Sequence, residues 1–216
     1  MLALAAAQLV TLVGLVVGVG GLVGRWSELR RRPCPTDRAP ARGDPTRGVL
    51  YAFTLGMAPW SKESTRIHWA AYLRGAGFHV AVFVALAALA ARPAWPALSP
   101  AVRAALAVVL AAGAALAAVG SLLRVHEPNL RALSNLDDHL SVWLVAAFLA
   151  LTGLALWDAR FAVLMYLAAG LLFAYIPLGK IRHCLYFFFG RRFFGRFAGR
   201  RGVLPHPTPP IVEGVR

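Results

Sequence analysis

Five long apolar runs constrain this sequence more than any other feature. Each run is long enough to cross the hydrocarbon core of a bilayer, roughly 30 Å thick, as an α-helix. Hydrophobic residues make up 59% of the chain and charged residues 15%, whereas soluble globular chains are about 25% charged. We therefore predict an all-α fold, an integral membrane five-helix bundle, and exclude a soluble globular domain.

The predicted helices have the bounds 2–24, 68–91, 101–123, 136–156 and 161–189, each to within a few residues. The first run lacks the basic start and the cleavage site of a signal peptide, so we expect it to be retained. Its face of small residues, Gly14, Gly18 and Gly21, predicts close packing on a neighbouring helix. The fifth helix is predicted to continue through Pro177.

The fourth helix is predicted to begin with a capping box, in which Ser134 is the N-cap and Asp137 replaces the usual Glu. Residues 1–190 are predicted to form the membrane domain and residues 191–216 a basic, aromatic tail. The Pro-rich end of the tail, residues 205–216, is predicted to be disordered.

The charge distribution predicts the orientation of the helices. The net charge is +14, from 23 Lys+Arg and 9 Asp+Glu. If Arg74 at the start of the second helix is counted with the first connection, all but three of the basic residues lie in that connection, the 124–131 loop or the C-terminal segment. The three are Arg92, Arg103 and Arg160. Because cytoplasmic loops are rich in Lys and Arg, we predict an outer N-terminus and a cytoplasmic C-terminus. This placement at helix ends argues for a membrane and against nucleic acid as the partner.

The two cysteines, Cys34 and Cys184, form no CxxC pair and no metal-ligand cluster. Cys34 lies in a predicted cytoplasmic loop, where a disulfide is not expected. An iron–sulfur cluster takes about four cysteine ligands, so this chain cannot hold such a cluster alone.

Two histidines lie inside predicted membrane helices, where ionisable residues usually have a function. His79 follows Gly75 and Gly77 in the second helix, and His183 lies late in the fifth. Neutral imidazoles on facing helices ligate the iron of b-type haems, and small residues let a flat macrocycle approach. Cations that suit haem propionates are nearby in sequence: Arg74, Lys180 and Arg182. The alternative is that both histidines bond only to backbone or water.

The region from Gly75 to the tail resembles the cytochrome b (gamma) subunit of respiratory nitrate reductases. It also resembles related subunits of heterodisulfide-reductase-like menaquinol complexes. The resemblance rests on Phe78-His79, on Leu133-Ser134 followed by Asp137-Asp138, and on Pro177, Lys180 and His183 followed by a basic aromatic tail. It implies five helices and an inner haem b with His79 and His183 as iron ligands.

The sequence departs from that family at the outer haem. Gamma subunits hold a second haem through further histidines, and the corresponding positions here are Leu89 and Met165. Methionine can ligate iron but leucine cannot, so the resemblance implies a single haem b. The outer quinol site of the family works beside that second haem. Without the second haem, the resemblance does not imply such a site in this chain.

The depth of the two histidines in their helices leaves the ligand pair open. Counted from Arg92 and Arg160 at about 1.5 Å per residue, His79 and His183 differ in depth by roughly 15 Å. The rival pair is His68 with His183, nearer the cytoplasmic surface. The other histidines, His126, His139 and His206, are expected at loops, at a helix start and in the tail.

The resemblance implies a membrane subunit of a multisubunit oxidoreductase in the cytoplasmic membrane. Such a subunit passes electrons between menaquinone or ubiquinone and a cytoplasmic iron–sulfur partner, and is quinone-reactive or non-catalytic itself. The alternative is a haem-free membrane anchor for a soluble complex. A small transporter is disfavoured because helices two to five have no paired acidic residues at mid-membrane.

The inner surface around the predicted haem is predicted to dock the iron–sulfur partner. It combines arginines with aromatic residues, a composition that is favoured at protein interfaces: Arg182, Arg191, Arg192 and Arg196 beside Phe187, Phe188 and Phe193. The alternative is that these residues only hold anionic lipid headgroups.

Overall fold

The computed structural model describes residues 1–33, 37–61 and 63–204, with only the backbone at residues 63 and 64. All regular secondary structure in these ranges is helical, as predicted. Cys34, Lys62 and His206 lie outside the described residues, as does the segment 205–216 for which the sequence predicts disorder. The helices are α1 (Leu2–Arg31), α2 (Pro45–Phe53), α3 (Glu63–Ile67), α4 (Trp69–Ala90), α5 (Pro100–His126), α6 (Pro128–Leu133), α7 (Leu136–Trp157), α8 (Ala162–Tyr175) and α9 (His183–Arg201).

The chain is a multi-pass membrane protein. Among the described residues, α1, α4, α5 and α7 are each long and apolar enough to cross a membrane. A fifth span is present only if two helices on either side of a break, α8 and α9, are counted together. The first helix ends at Arg31 rather than near residue 24, because arginine ends an apolar run but is itself a good helix former.

The fifth span differs from the single helix predicted over 161–189. The helix α8 ends at Tyr175, and a turn follows in which Leu178 and Gly179 donate backbone hydrogen bonds to the Tyr175 carbonyl. A short 3-10 turn, Lys180–Arg182, then leads into α9. Proline lacks the N–H that the next helical bond requires, and here Pro177 ends the helix instead of kinking it.

The start of α7 corrects the predicted capping box by one residue. The N-cap is Asn135, whose side chain accepts from the backbone N–H of Asp138 at 3.2 Å. The Asp138 carboxylate accepts from the backbone N–H of Asn135 at 3.0 Å. Ser134 instead donates to the Leu130 carbonyl at 2.7 Å and is the C-cap residue of α6. Because Asp138 takes the capping-box position, the Asp137 carboxylate is free to bind groups outside the helix start.

Close contacts divide the chain into two compact units. The first unit contains Met1–Arg31 and His68–His183, which include α1, α4, α5, α6, α7 and α8. Its core surrounds the fully buried Leu110, Phe148, Leu149 and Met165. The second unit contains the described parts of Arg32–Ile67 and Cys184–Arg216.

The first helix packs on α8 through its glycines, as their spacing predicts. A Cβ atom added at Gly18 would lie 2.5 Å from the Phe173 carbonyl oxygen, and one at Gly14 would meet the Gly170 backbone. Thr11 donates to the Tyr166 carbonyl at 2.7 Å. Small residues therefore allow the two backbones to touch.

The second unit is also built on glycines. A Cβ atom at Gly195 of α9 would lie 2.6 Å from the Val49 Cα atom of α2, and one at Gly199 would lie 2.7 Å from the Gly48 Cα atom. Beside this contact the Arg201 guanidinium pairs with Asp37 at 3.0 Å. The hydrogen bond from Arg201 holds the pKa of the Asp37 carboxyl below its ordinary value.

Candidate functional site

The imidazole rings of His79 and His183 lie side by side in the first unit. His79 is in the middle of α4 and His183 is the first residue of α9. Their ring centroids are 6.1 Å apart and their planes cross at 79°. Both side chains lie on the exposed surface of the chain.

The break after α8 removes the difference in depth expected from the sequence. That difference assumes a helical rise at every residue from Arg160 to His183. The turn at Pro177 and the 3-10 turn at Lys180–Arg182 interrupt the rise before His183 is reached. His183 therefore lies beside His79 although no long helix has to tilt to bring it there.

Each ring has one nitrogen bonded to the backbone and one nitrogen open. The Nδ1 atom of His79 lies 2.7 Å from the Gly75 carbonyl oxygen, and that of His183 lies 2.8 Å from the Lys180 carbonyl oxygen. A carbonyl only accepts, so each Nδ1 carries the proton and each Nε2 keeps its lone pair. Within the described residues neither Nε2 has a hydrogen-bond partner. This arrangement is the usual one for metal-ligating histidines.

The ring separation fits a single metal ion between the two imidazoles. A ligating imidazole nitrogen lies about 2 Å from its metal, so two imidazoles on opposite sides of one ion have centroids roughly 6 Å apart. The described residues contain no group of three or more His, Cys, Asp or Glu side chains that would enclose a metal by themselves. A haem would need only these two imidazoles from the protein as iron ligands, so the donor set would suit it better than a bare ion.

The glycine before His79 leaves space on the same face of α4. A Cβ atom at Gly75 would have no other atom within 4 Å, whereas one at Gly77 would lie 2.9 Å from a Leu116 methyl group. Gly75 and His79 are one helical turn apart and share a face. The open space beside the imidazole is what a flat macrocycle requires.

The three cations predicted near the haem propionates have different surroundings. The Lys180 ammonium lies 2.5 Å from Asp138 Oδ2 and is already paired. Arg182 donates only a long bond, 3.4 Å, to the Leu178 carbonyl. Arg74 has no ion-pair partner among the described residues and lies over the Gly120 surface of α5. Arg74 and Arg182 are therefore the two cations still open to an anionic group.

A polar cluster at the start of α7 holds the break in place. The Asp137 carboxylate accepts from the Tyr175 hydroxyl, from Ser141 at 3.1 Å and from the Lys180 backbone N–H at 3.3 Å. Asp138 accepts from Lys180, and Arg124 lies 3.9 Å from it. The sequence predicts only a capping role, for Asp137. Only the fold reveals that the two carboxylates fix the turn that carries His183.

The rival ligand His68 lies away from this pair. It is the N-cap residue of α4 and makes no capping hydrogen bond through its side chain. At about 1.5 Å per residue, His68 is some 16 Å from His79 along the helix axis. Since His183 lies beside His79, the geometry favours the pair His79 and His183.

The positions of the family's outer haem are filled by the apolar core. Met165 is fully buried and Leu89 packs against the same cluster. Of the remaining histidines, His139 shares a 3.2 Å hydrogen bond with Ser121, and His126 is an exposed residue at the end of α5.

No family model matches this chain, and no match was found among curated proteins or among solved structures.

Proposed function

We propose that the chain is the membrane subunit of a multisubunit oxidoreductase and holds one b-type haem between His79 and His183. The observation that carries the proposal is the pair of crossed imidazoles, 6.1 Å apart, each with its Nδ1 on a backbone carbonyl. The motifs of nitrate reductase gamma subunits around the same two histidines support it.

The residues of the site have separate tasks. The Gly75 and Lys180 carbonyls hold the two rings in the tautomer that presents Nε2. The open space at Gly75 admits the edge of the macrocycle, while Arg74 and Arg182 neutralise its propionates. Bound haem supplies one-electron chemistry, and the protein sets its ligation and its surroundings.

The proposed electron route runs between menaquinone or ubiquinone and a cytoplasmic iron–sulfur protein. A single haem needs a second carrier nearby, and the chain has only two cysteines. The partner would dock on α9, where the Arg191 guanidinium lies 5.8 Å from the Phe187 ring centre. Phe187 and Phe188 pack with Phe53 at 6.1 and 6.3 Å, forming an aromatic surface of the second unit.

The alternative, a haem-free membrane anchor for a soluble complex, is favoured by one observation. Both imidazoles are exposed, whereas a haem is ordinarily held within apolar walls. In our proposal a neighbouring subunit or lipid covers the exposed edge of the site.

An optical spectrum of the purified protein separates the two functions. We expect reduced b-type bands and one haem per chain. His79→Ala and His183→Ala should each abolish the bands, whereas the matched variant His68→Ala should keep them. A wild-type protein that is folded and free of haem after expression with excess haem would support the anchor. Two haems per chain would overturn the assignment of Leu89 and Met165 as core residues.

A further inference from the structure

A groove on the second unit combines an apolar floor with two arginines. It lies between α2 and α9 and has a volume of about 600 Å³. Pro45, Val49 and Leu50 provide the apolar part, and Thr46 adds a hydroxyl at the beginning of α2. Arg192 and Arg196 line the opposite side, one helical turn apart on α9.

The two arginines have no countercharge in the described part of the chain. The two acidic side chains that the structure describes in this unit have other partners, since Asp37 pairs with Arg201 and Asp44 accepts from the Thr46 backbone N–H at 2.7 Å. Both Arg192 and Arg196 are exposed. The groove thus presents two positive charges beside an apolar surface.

The groove is held open by backbone contacts. The glycine contact between Gly48 and Gly199 joins α2 to α9. The backbone N–H groups of Arg42 and Gly43 donate to the Arg200 carbonyl at 2.8 and 3.0 Å. Because these contacts do not involve the side chains of Arg192 and Arg196, the backbone that carries the two arginines is fixed whether or not an anion is bound.

We propose that this groove binds an anionic phospholipid, with the phosphate on Arg192 and Arg196 and the start of an acyl chain on Val49 and Leu50. Arginine pairs bind phosphate oxygens through several charge-assisted hydrogen bonds. An acidic protein segment would satisfy the arginines but not the apolar floor. The aromatic residues exposed nearby, Phe193 and Phe194, are the type that collects at the membrane–water interface. This proposal does not depend on the haem.

Lipid binding is tested on the full chain in nanodiscs and by native mass spectrometry from detergent. The probes are dioleoylphosphatidylglycerol, zwitterionic dioleoylphosphatidylcholine and inorganic phosphate. The test variant is Arg192→Gln with Arg196→Gln. The matched control is Arg38→Gln with Arg47→Gln, which removes the same charge from exposed positions of the same unit that do not line the groove. Leu50→Asp, at an exposed position, places a carboxylate on the floor without disturbing the arginines.

We expect wild type and control to bind phosphatidylglycerol in preference to phosphatidylcholine. The arginine variant and Leu50→Asp should bind it at least about tenfold more weakly, since charged hydrogen bonds are lost or opposed. Equal binding by the arginine variant and the control would overturn the site. Full competition by millimolar inorganic phosphate would show a free-phosphate site rather than a lipid site. Loss of a co-purifying protein with unchanged lipid binding would assign the arginines to protein docking.

Discussion

The Lys180 ammonium lies 2.5 Å from Asp138 Oδ2, while the carbonyl oxygen of the same lysine accepts the hydrogen bond from His183 Nδ1. Asp138 in turn closes the capping box of α7. Lys180 thus links the start of α7, through its ammonium, to the imidazole of His183, through its carbonyl oxygen. The acidic side chains of this helix start act as positioning residues for His183.

Replacing Asp138 by Asn should loosen this connection. The new asparagine keeps the shape of Asp138 and an oxygen that accepts from the Asn135 N–H, but it loses the ion pair with Lys180. Because Lys180 is 46% exposed, we expect a loss of only about 1 kcal/mol in unfolding free energy. We also expect weaker haem retention and an altered low-spin electron paramagnetic resonance signal. Asp158→Asn, which breaks the separate pair with Arg160, should leave that signal unchanged. An unaltered signal in Asp138→Asn would remove the positioning role.

Gly75 provides a test of the space beside His79. A leucine there meets no atom of the chain within 4 Å of its Cβ atom, so the apoprotein should fold with nearly unchanged stability. The side chain would fill the space assigned to the macrocycle, and haem content should fall sharply. Haem per chain and thermal unfolding are measured together. A full complement of haem in Gly75→Leu would place the macrocycle elsewhere.

Gly18 tests the packing of α1 on α8. In Gly18→Leu the new side chain meets the Phe173 carbonyl, and we expect a loss of about 1–3 kcal/mol from overpacking. Gly20→Leu adds the same side chain on the same helix at a position with no atom within 4 Å. Unfolding in mixed micelles should separate the two variants. Equal stability would show that the two helices do not touch at Gly18.

The ion pair of Asp37 with Arg201 makes one contact of the second unit sensitive to acid. The hydrogen bond from Arg201 lowers the pKa of Asp37, so its stabilising effect is complete above the ordinary value of about 3.9. The stabilising effect is lost as the pH falls through the lowered pKa that Asp37 has in the folded protein. A carbon-13 titration should show a higher Asp37 midpoint in Arg201→Gln. The same midpoint in both proteins would contradict the pairing.

The charge bias predicts an outer N-terminus and a cytoplasmic C-terminus. A reporter that is active only in the cytoplasm should work when fused after Arg201. A reporter that is active only outside should work when fused in the 92–99 loop. The opposite result for both fusions would reverse the orientation.

The apolar runs alone were sufficient to predict four of the spans, because α1, α4, α5 and α7, among the residues that the structure describes, have the length and hydropathy of a membrane helix. The composition of the fifth run did not predict that its helix would end at Tyr175 and a new one begin at His183. Pro177 is compatible with either a kink or an end, and the end is fixed by bonds from Tyr175 and Lys180 to Asp137 and Asp138. Such contacts between distant segments have no periodic signal in the sequence.

The histidine pair was predicted from its position inside membrane helices and from a resemblance in motifs, and the structure brings the two rings together without testing the haem. The depth difference of roughly 15 Å expected between His79 and His183 was wrong, because it applied a helical rise of about 1.5 Å per residue to residues that form turns. In contrast, the glycine contact in the second unit did have a signal. Gly195 and Gly199 are four residues apart on one helix face, a spacing typical of close helix packing.

The contact between α1 and α8 has a consequence for biosynthesis. Thr11 donates to the carbonyl of Tyr166, which is 155 positions later in the chain, and the glycine face of α1 is covered by α8. The ribosome therefore delivers the first helix long before its principal neighbour exists. During that interval the helix must reside in the lipid as an independent hydrophobic segment, and its small-residue face is open to any other helix. The glycine face of α1 is covered only when α8 follows it into the membrane.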